Sequence, residues 1–192
     1  MKRIIGLFFG SFNPIHIGHM IIAEYIAEYS DIDELWFVVS PQNPLKRRQN
    51  LLDDYERLEM AHRAIGKDTR FRVTDIEFRM PKPSYTVDTL SYLSEKYPDY
   101  EFKMILGADN LVSFNKWKNR EFLVEKYKRI VYPRHGVSEE EMKSHRNIEI
   151  VNAPRIEISS SFIRKAISEG KNVQYFLPQK VYEYIDEMNF YR

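Results

Sequence analysis

Apolar and polar residues follow different patterns in successive segments of the chain. Short continuous apolar runs, each bounded by glycine, proline or polar residues, indicate buried strands of a parallel sheet. Stretches with a period near 3.6 residues separate these runs and predict helices, so the fold class is α/β, with helices on both faces of the sheet. The predicted strands are Ile4–Phe9, Leu35–Val39, Phe71–Phe78, Glu101–Leu106 and Lys128–Tyr132, and Ile148–Val151 is compatible with a further strand.

Capping residues set the predicted helix ends. Asp53 and Gly66 bound the second helix, and Thr86 is the predicted N-cap of the third. We expect Arg57 on the surface of the second helix, paired with a neighbouring glutamate, and contact with a phosphate is the alternative. Pro178 begins the last helix. The inward stripes of the first and last helices are expected to contain Ile22, Tyr25, Ile26, Tyr29, Val181, Tyr184, Ile185 and Met188.

Length and composition narrow the class of protein. The 192 residues predict one domain, with the segment of about 156–192 packed on its core. A net charge of +1 predicts neither a nucleic acid nor an anionic membrane as partner, and the apolar runs are too short to span a bilayer or to serve as an export signal. The absence of cysteine excludes disulfides and thiolate catalysis and fits a cytoplasmic protein. The oligomeric state stays open, and a homo-oligomer is compatible with the sequence.

The first candidate site lies between the first strand and the first helix, in the sequence Gly-Ser-Phe-Asn-Pro-Ile-His-Ile-Gly-His that runs from Gly10 to His19. A strand that ends in glycine and turns into a helix places that turn at the carboxyl end of the sheet, where open α/β folds bind ligands. His16 and His19 are three positions apart, so they share a face with the free N–H groups of the first helical turn. This arrangement predicts phosphate binding.

A second candidate site is the segment Ile156–Arg164, which places three serines at a helix start and Arg164 one turn later. Hydroxyl and guanidinium groups at a helix N-terminus suit an anion. A serine-rich cap with a surface arginine is the structural alternative. Between the two motifs, Asp109 follows the fourth strand and either caps the next helix or accepts a hydrogen bond from a ribose hydroxyl.

Together the two motifs resemble the two signatures of the nucleotidylyltransferase superfamily, HxGH and ISSxxIR. His-Ile-Gly-His also occurs in class I aminoacyl-tRNA synthetases, but 192 residues do not accommodate their second signature and tRNA-binding region. Ser84-Tyr85-Thr86 at a helix start resembles the nicotinate-nucleotide branch of the superfamily. The resemblance implies a Rossmann-like doubly wound parallel sheet. The chain has no Gly-x-Gly-x-x-Gly fingerprint after the first strand and no Gly-Lys-Ser/Thr, which disfavours a dehydrogenase and a P-loop NTPase.

The resemblance to that branch implies an enzyme that transfers the adenylyl group of ATP to nicotinate mononucleotide. The products would be nicotinate adenine dinucleotide and pyrophosphate, in NAD biosynthesis, with Mg²⁺ carried mainly on the ATP phosphates. Two alternatives remain. One is an adenylyltransferase for another phosphorylated acceptor, nicotinamide mononucleotide or phosphopantetheine, and the other is a nucleotide-binding regulator without turnover.

The resemblance also implies a set of site residues. Catalytic roles fall to His16, His19 and Arg164. The residues expected to bind ATP are Gly10, Ser11, Phe12, Gly18, Gly107, Asp109, Ser159, Ser160 and Ser161. The residues expected to bind the acceptor are Asn43, Lys46, Tyr85, Thr86, Trp117, Lys118 and Arg134, with Tyr85 and Trp117 as a clamp on the pyridine ring. The chain departs from the family pattern at Asn13, commonly aspartate, and at Leu45, usually histidine.

Overall fold

The computed structural model describes residues 2–41 and 51–192. Its strands form one sheet in which every neighbouring pair is parallel. The strands are β1 (Arg3–Gly10), β2 (Glu34–Val39), β3 (Phe71–Thr74), β4 (Tyr100–Gly107), β5 (Arg129–Tyr132) and β6 (Ile148–Ile150). Their order across the sheet is β3-β2-β1-β4-β5-β6.

The connections between strands are mostly helical. The α-helices are α1 (Ile17–Tyr29), α2 (Asp54–Ile65), α3 (Thr86–Lys96), α4 (Ala108–Ser113), α5 (Arg120–Lys126), α6 (Glu139–Lys143), α7 (Ser160–Ser168) and α8 (Gln179–Glu187). Short 3₁₀ helices occupy Ile76–Arg79, Phe114–Lys116 and Gln174–Phe176. Across the described ranges, no helix has the length and apolar content needed to cross a membrane.

The order in which the chain adds strands to the sheet reverses between β1 and β4, although the two strands are parallel. From β1 the chain proceeds outward through β2 and β3, and it then returns to β4 and builds the other half of the sheet. In open parallel sheets the crevice at such a reversal, outside the carboxyl ends of the strands, is where ligands bind. Gly10 and Gly107 end the two strands that flank this crevice. The predicted fold class, a doubly wound parallel sheet, is therefore confirmed.

Two apolar layers cover the sheet because successive residues of a strand face opposite sides. In β1, Leu7 packs with Leu90 and Leu123 of the layer formed with α3 and α5. Phe8 faces the opposite layer, where it joins a larger cluster with residues of α1, α2, α7 and α8. Both layers consist of buried, mutually packed apolar side chains, so the strand ends at the crevice are held on a rigid base.

Three details of the predicted elements are wrong. The third strand ends at Thr74, and the predicted continuation to Phe78 is a 3₁₀ helix that turns Glu77 into the interior. The N-cap of α3 is Tyr85, and Thr86 is already the first helical residue. The stripe residues Tyr29 and Met188 are exposed, because each lies at the end of its helix beyond the underlying core.

The largest correction concerns Arg57, which the sequence places on the surface of α2. The side chain is completely buried and pairs with Asp54, not with a glutamate. Its position follows the helical period, because Met60 and Ala61 of the same helix are buried three and four residues later. The helical spacing of Arg57, Met60 and Ala61 therefore indicates that the arginine points inward.

Candidate active site

The turn that leaves β1 folds an aromatic ring back under the crevice. Phe12 has a φ of 45°, in the left-handed region, and its ring is buried against Phe8 and Phe37. A Cβ on Gly10 would lie 2.7 Å from Cζ of Phe12, so a glycine is required there. The Phe12 ring also meets the His19 ring edge to face, with centroids 5.2 Å apart. The side chain of Phe12 thus supports His19 and is itself buried, so it is not open to a ligand.

His16 and His19 lie on one face of the start of α1, as predicted. His16 is the N-cap residue, and its backbone N–H donates to Nδ1 of His19 over 3.2 Å. The two rings stack, with centroids 3.7 Å apart and planes inclined by 30°. Because Nδ1 of His19 accepts a hydrogen bond, the neutral imidazole carries its proton on Nε2, which is then a donor.

His16 is held in its neutral form. Its side chain is 5% exposed, and its Nδ1 is buried without a hydrogen-bond partner in the part of the chain that the structure describes. Burial, together with the smaller effect of the nearby charge of Arg134, lowers the pKa of His16 to about 4. At neutral pH the imidazole is therefore uncharged, so it can offer a hydrogen bond to a ligand but no positive charge.

Gly18 allows the second motif to pack against the motif that contains the two histidines. A Cβ at this position would lie 3.0 Å from Nδ1 of His16 and 2.9 Å from Cγ2 of Ile156, closer than ordinary contact. Ile156 opens the second motif, so the absence of a side chain on Gly18 allows that segment to pack directly on the first turn of α1. A glycine between the two histidines therefore permits the close contact between α1 and the Ile156 segment.

The second motif is tied to the first by direct hydrogen bonds. Ser160 Oγ donates to the carbonyl oxygen of Pro14 over 2.9 Å, and Arg164 Nη1 donates to the carbonyl oxygen of Asn13 over 2.8 Å. The other two serines serve the helix itself. Ser159 caps α7 by accepting from the N–H of Phe162, and Ser161 Oγ accepts from Arg164 Nη2. The guanidinium of Arg164 is thus fixed beside the turn that leads to the histidines.

Asn13 joins this turn to the end of the chain. Its Oδ1 accepts from the hydroxyl of Tyr191 over 2.8 Å and from the N–H of Leu52 over 3.3 Å. An aspartate would present an accepting oxygen in the same place, so the departure from the family pattern keeps both bonds. Burial raises the pKa of the Tyr191 hydroxyl, which therefore stays protonated as the donor.

A cleft of about 520 Å³ opens beside the end of β4 and contains Asp109 and Arg134. Arg134 Nε lies 3.5 Å from Asp109 Oδ1, and its Nη1 donates to the carbonyl oxygen of Ile156. Gly107, and not Asp109, is the N-cap of α4, so the capping alternative for Asp109 is wrong. A Cβ on Gly107 would overlap the Asp109 carboxylate. Arg134, predicted for the acceptor, contacts Asp109, which was predicted for ATP, and the ligand that Arg134 binds stays a prediction.

The predicted ring clamp forms a second group on the other face of the sheet. Trp117 and Tyr85 both pack at the edge of the same apolar layer. Lys118 Nζ lies 4.5 Å from the centroid of the Tyr85 ring and 2.9 Å from Asp88 Oδ2, so it joins the Trp117 segment to the start of α3. Trp117 is half-buried, as expected, and its Nε1 has no hydrogen-bond partner among the described residues.

A buried carboxyl group connects this clamp to the end of β2. Glu77 Oε2 accepts from Ser84 Oγ over 3.0 Å, and Oε1 accepts from Thr89 Oγ1 over 2.8 Å. The hydroxyl of Ser40 is a third hydrogen-bond partner, while burial raises the pKa of Glu77. Ser40 N in turn donates to the carbonyl oxygen of Gly10 over 2.9 Å. Glu77 is not among the predicted site residues, because its position inside a predicted strand carries no sign of burial or of its hydroxyl partners.

Two of the predicted acceptor residues, Asn43 and Lys46, lie outside the described residues, as does the departure at Leu45. Within residues 2–41 and 51–192, no three His, Cys, Asp or Glu side chains form a group that could hold a metal ion. The structure therefore brings the two sequence motifs together around the end of β1 and places Tyr85, Trp117 and Lys118 in a neighbouring group.

Comparisons with known proteins identify relatives in sequence and in fold. The cytidylyltransferase-like family model matches residues 7–166 of the chain. A probable nicotinate-nucleotide adenylyltransferase from Flavobacterium johnsoniae is 53% identical over 192 residues, which cover 98% of each protein. One from Bacteroides fragilis is 46% identical and covers 96% of this chain and 92% of its own. The fold is similar to that of Plasmodium falciparum nicotinic acid mononucleotide adenylyltransferase complexed with NaAD, with a TM-score of 0.85 at 24% identity over 98% of this chain and 97% of that one.

Proposed function

The chain belongs to the nicotinate-nucleotide adenylyltransferases of the cytidylyltransferase-like family, and from that premise we propose how its site transfers the adenylyl group of ATP to nicotinate mononucleotide. The observation that carries the proposal is the direct contact between the two motifs. Arg164 and Ser160 of the second motif bond the carbonyl groups of Asn13 and Pro14, three and two residues before His16. This contact gathers a guanidinium, two imidazoles and two helix N-termini at the crevice between β1 and β4.

The chemistry needs no general base. The acceptor is a phosphate monoester whose second pKa of about 6 leaves it mostly dianionic at neutral pH. One of its oxygens forms a bond to the α-phosphorus of ATP, and the bond from that phosphorus to the bridging oxygen breaks, so the electron pair leaves with pyrophosphate. The protein contributes position and charge stabilisation, through the Nε2–H of His19, the fork of Arg164 and the N–H groups that begin α1 and α7. His16 adds a donor without charge.

We propose that Mg²⁺ enters on the triphosphate. Phosphate oxygens are the hard ligands that this ion prefers, and it keeps much of its water when it binds to proteins. The donor set of the described residues fits this arrangement, because it offers no cage of metal-ligating side chains and leaves the phosphates as the main ligands. When bound, the ion would neutralise charge on the departing pyrophosphate.

On the acceptor side we propose that Tyr85 and Trp117 hold the pyridine ring. Both are aromatic, border the same apolar layer and are joined through Lys118. The N–H groups at the start of α3, around Thr86, would donate to the nicotinate carboxylate with help from the helix dipole. An amide presents its NH₂ to the same donors and leaves hydrogen bonds unmade, at a cost of roughly 1 to 3 kcal/mol each. One or two such losses predict a preference for the acid of about tenfold to several thousandfold.

Pyrophosphate release with ATP and each candidate acceptor tests this function. We expect turnover with nicotinate mononucleotide and a much lower kcat/KM with nicotinamide mononucleotide or phosphopantetheine. His19→Ala should lower kcat by about 10² to 10³, the typical cost of one charge-stabilising donor. His62→Ala, which removes an exposed histidine of α2, is the matched control and should retain wild-type turnover.

Two outcomes would contradict the proposal. Equal kcat/KM values with nicotinate mononucleotide and nicotinamide mononucleotide would contradict the proposed carboxylate-binding pocket. They would not contradict adenylyl transfer itself. Binding of ATP without pyrophosphate release in the presence of any of the candidate acceptors would favour the nucleotide-binding regulator.

A further inference from the structure

The buried guanidinium of Arg57 contacts the turn between β1 and α1 and uses all of its donors. Arg57 is completely buried, and each of its five N–H groups has an acceptor. Nε donates to the carbonyl oxygen of Leu52, Nη1 to those of Ser11 and Ser40, and Nη2 to that of Pro41 and to Asp54 Oδ1. Four of the five acceptors are backbone carbonyls, so the guanidinium holds chain segments in place and does not merely balance a charge.

The bonded segments belong to different parts of the site. Ser11 is in the turn between β1 and α1, residues 11–16, which we call the phosphate turn, and its carbonyl oxygen lies 2.5 Å from Arg57 Nη1. The carbonyl oxygen of Ser40, at the end of β2, lies 2.8 Å from the same nitrogen. One nitrogen atom therefore sets the spacing between the phosphate turn and the neighbouring strand end.

From Ser40 the connection continues to the clamp. The Ser40 hydroxyl bonds Glu77, and Glu77 accepts from the hydroxyls of Ser84 and Thr89, on either side of Tyr85. The bonds of Glu77 to Ser84 and Thr89 lie in the interior, where a partner left unmade is costly, so this part of the network has few alternative arrangements.

We propose that Arg57 is a positioning residue that fixes the phosphate turn relative to the ring clamp, and so aligns the acceptor phosphate with the α-phosphorus of ATP. This inference rests on the proposed function. Arg57 touches neither substrate in this arrangement. Its loss should leave each half of the site able to bind its own substrate while the two substrates are held out of line.

The test is Arg57→Lys, which keeps the positive charge but has only three N–H donors and no fork. We expect kcat to fall about 10²-fold, the cost of a misplacement near 1 Å, while calorimetric Kd values for ATP and for nicotinate mononucleotide stay within about threefold of wild type. A binding stoichiometry near one would show that the variant is folded. Arg57→Gln provides a second variant with the same expectation.

Arg129→Lys is the matched control. Arg129 is also completely buried, but it lies at the start of β5, at the opposite end of the sheet from the crevice. The substitution Arg129→Lys should lower the thermal stability of the protein and leave kcat near the wild-type value. The inference is overturned if folded Arg57→Lys keeps kcat within about threefold of wild type, or if Arg129→Lys loses kcat to the same extent. Failure of both Arg57 variants to fold, while Arg129→Lys folds, would also overturn it, because the role would then be overall stability. Absence of turnover in the wild-type protein would instead refute the proposed function.

Discussion

The neutral state of His16 predicts a specific dependence of stability on pH. The pKa of this histidine falls from 6.5 to about 4 on folding, because the ring is buried and Arg134 lies nearby. The unfolded chain therefore binds a proton at a higher pH than the folded chain does. Stability from this group is fully present above pH 6.5 and is lost as the pH falls toward 4, since protons then favour the unfolded state.

The magnitude follows from the shift. A change from 6.5 to about 4 is about 2.5 pKa units, worth about 3 kcal/mol at 1.36 kcal/mol per unit. Linkage predicts that about 2 kcal/mol of the unfolding free energy is already lost at pH 5 and about 3 kcal/mol at pH 4. Other carboxyl groups titrate in the same range, so a comparison with a variant is needed to isolate the contribution of His16.

The variant is His16→Asn, which removes the titrating ring and places a favoured N-cap residue at the start of α1. Urea unfolding of both proteins at several pH values from 7.5 to 4.5 gives the two stability profiles. We expect the wild-type profile to fall more steeply, with the difference growing by about 2 kcal/mol between pH 7 and pH 5. Parallel profiles would refute the reasoning, because they would show that His16 does not enter the folded state as a buried neutral group.

Three further predictions concern activity. Gly18→Ala places a Cβ 3.0 Å from Nδ1 of His16 and should lower kcat by about 10², whereas Gly6→Ala, whose Cβ meets only the flexible ends of isoleucine side chains away from the crevice, should retain turnover in the same assay. Arg164→Lys loses the bidentate fork and should raise the calorimetric Kd for ATP about tenfold with little change for the acceptor. Glu77→Gln disturbs the bonds on either side of Tyr85 and should raise KM for nicotinate mononucleotide about tenfold while KM for ATP stays near wild type in two-substrate kinetics.

Local pattern was sufficient wherever neighbours along the chain determine the outcome. The apolar run that became β1, the cap at Asp53 and the glycine that ends α2 were all read correctly, because strand burial and capping depend on residues a few positions apart. The shared face of His16 and His19 follows from the helical period in the same way. The type and spacing of residues in the two motifs also indicated the chemistry of the site before their contact was known.

Tertiary structure decided the properties that depend on distant partners. The pKa of His16 is lowered by packing and by Arg134, which lies more than a hundred residues later in the chain. The interior position of Arg57 depends on carbonyl groups of Ser11, Ser40 and Pro41, and Glu77 turns inward to meet three hydroxyls, from the end of β2 and from the start of α3. Desolvation and hydrogen bonding of this kind arise only when segments remote in sequence close around a side chain, so the sequence determined which groups the site would contain, and the packing determined their charge and their alignment.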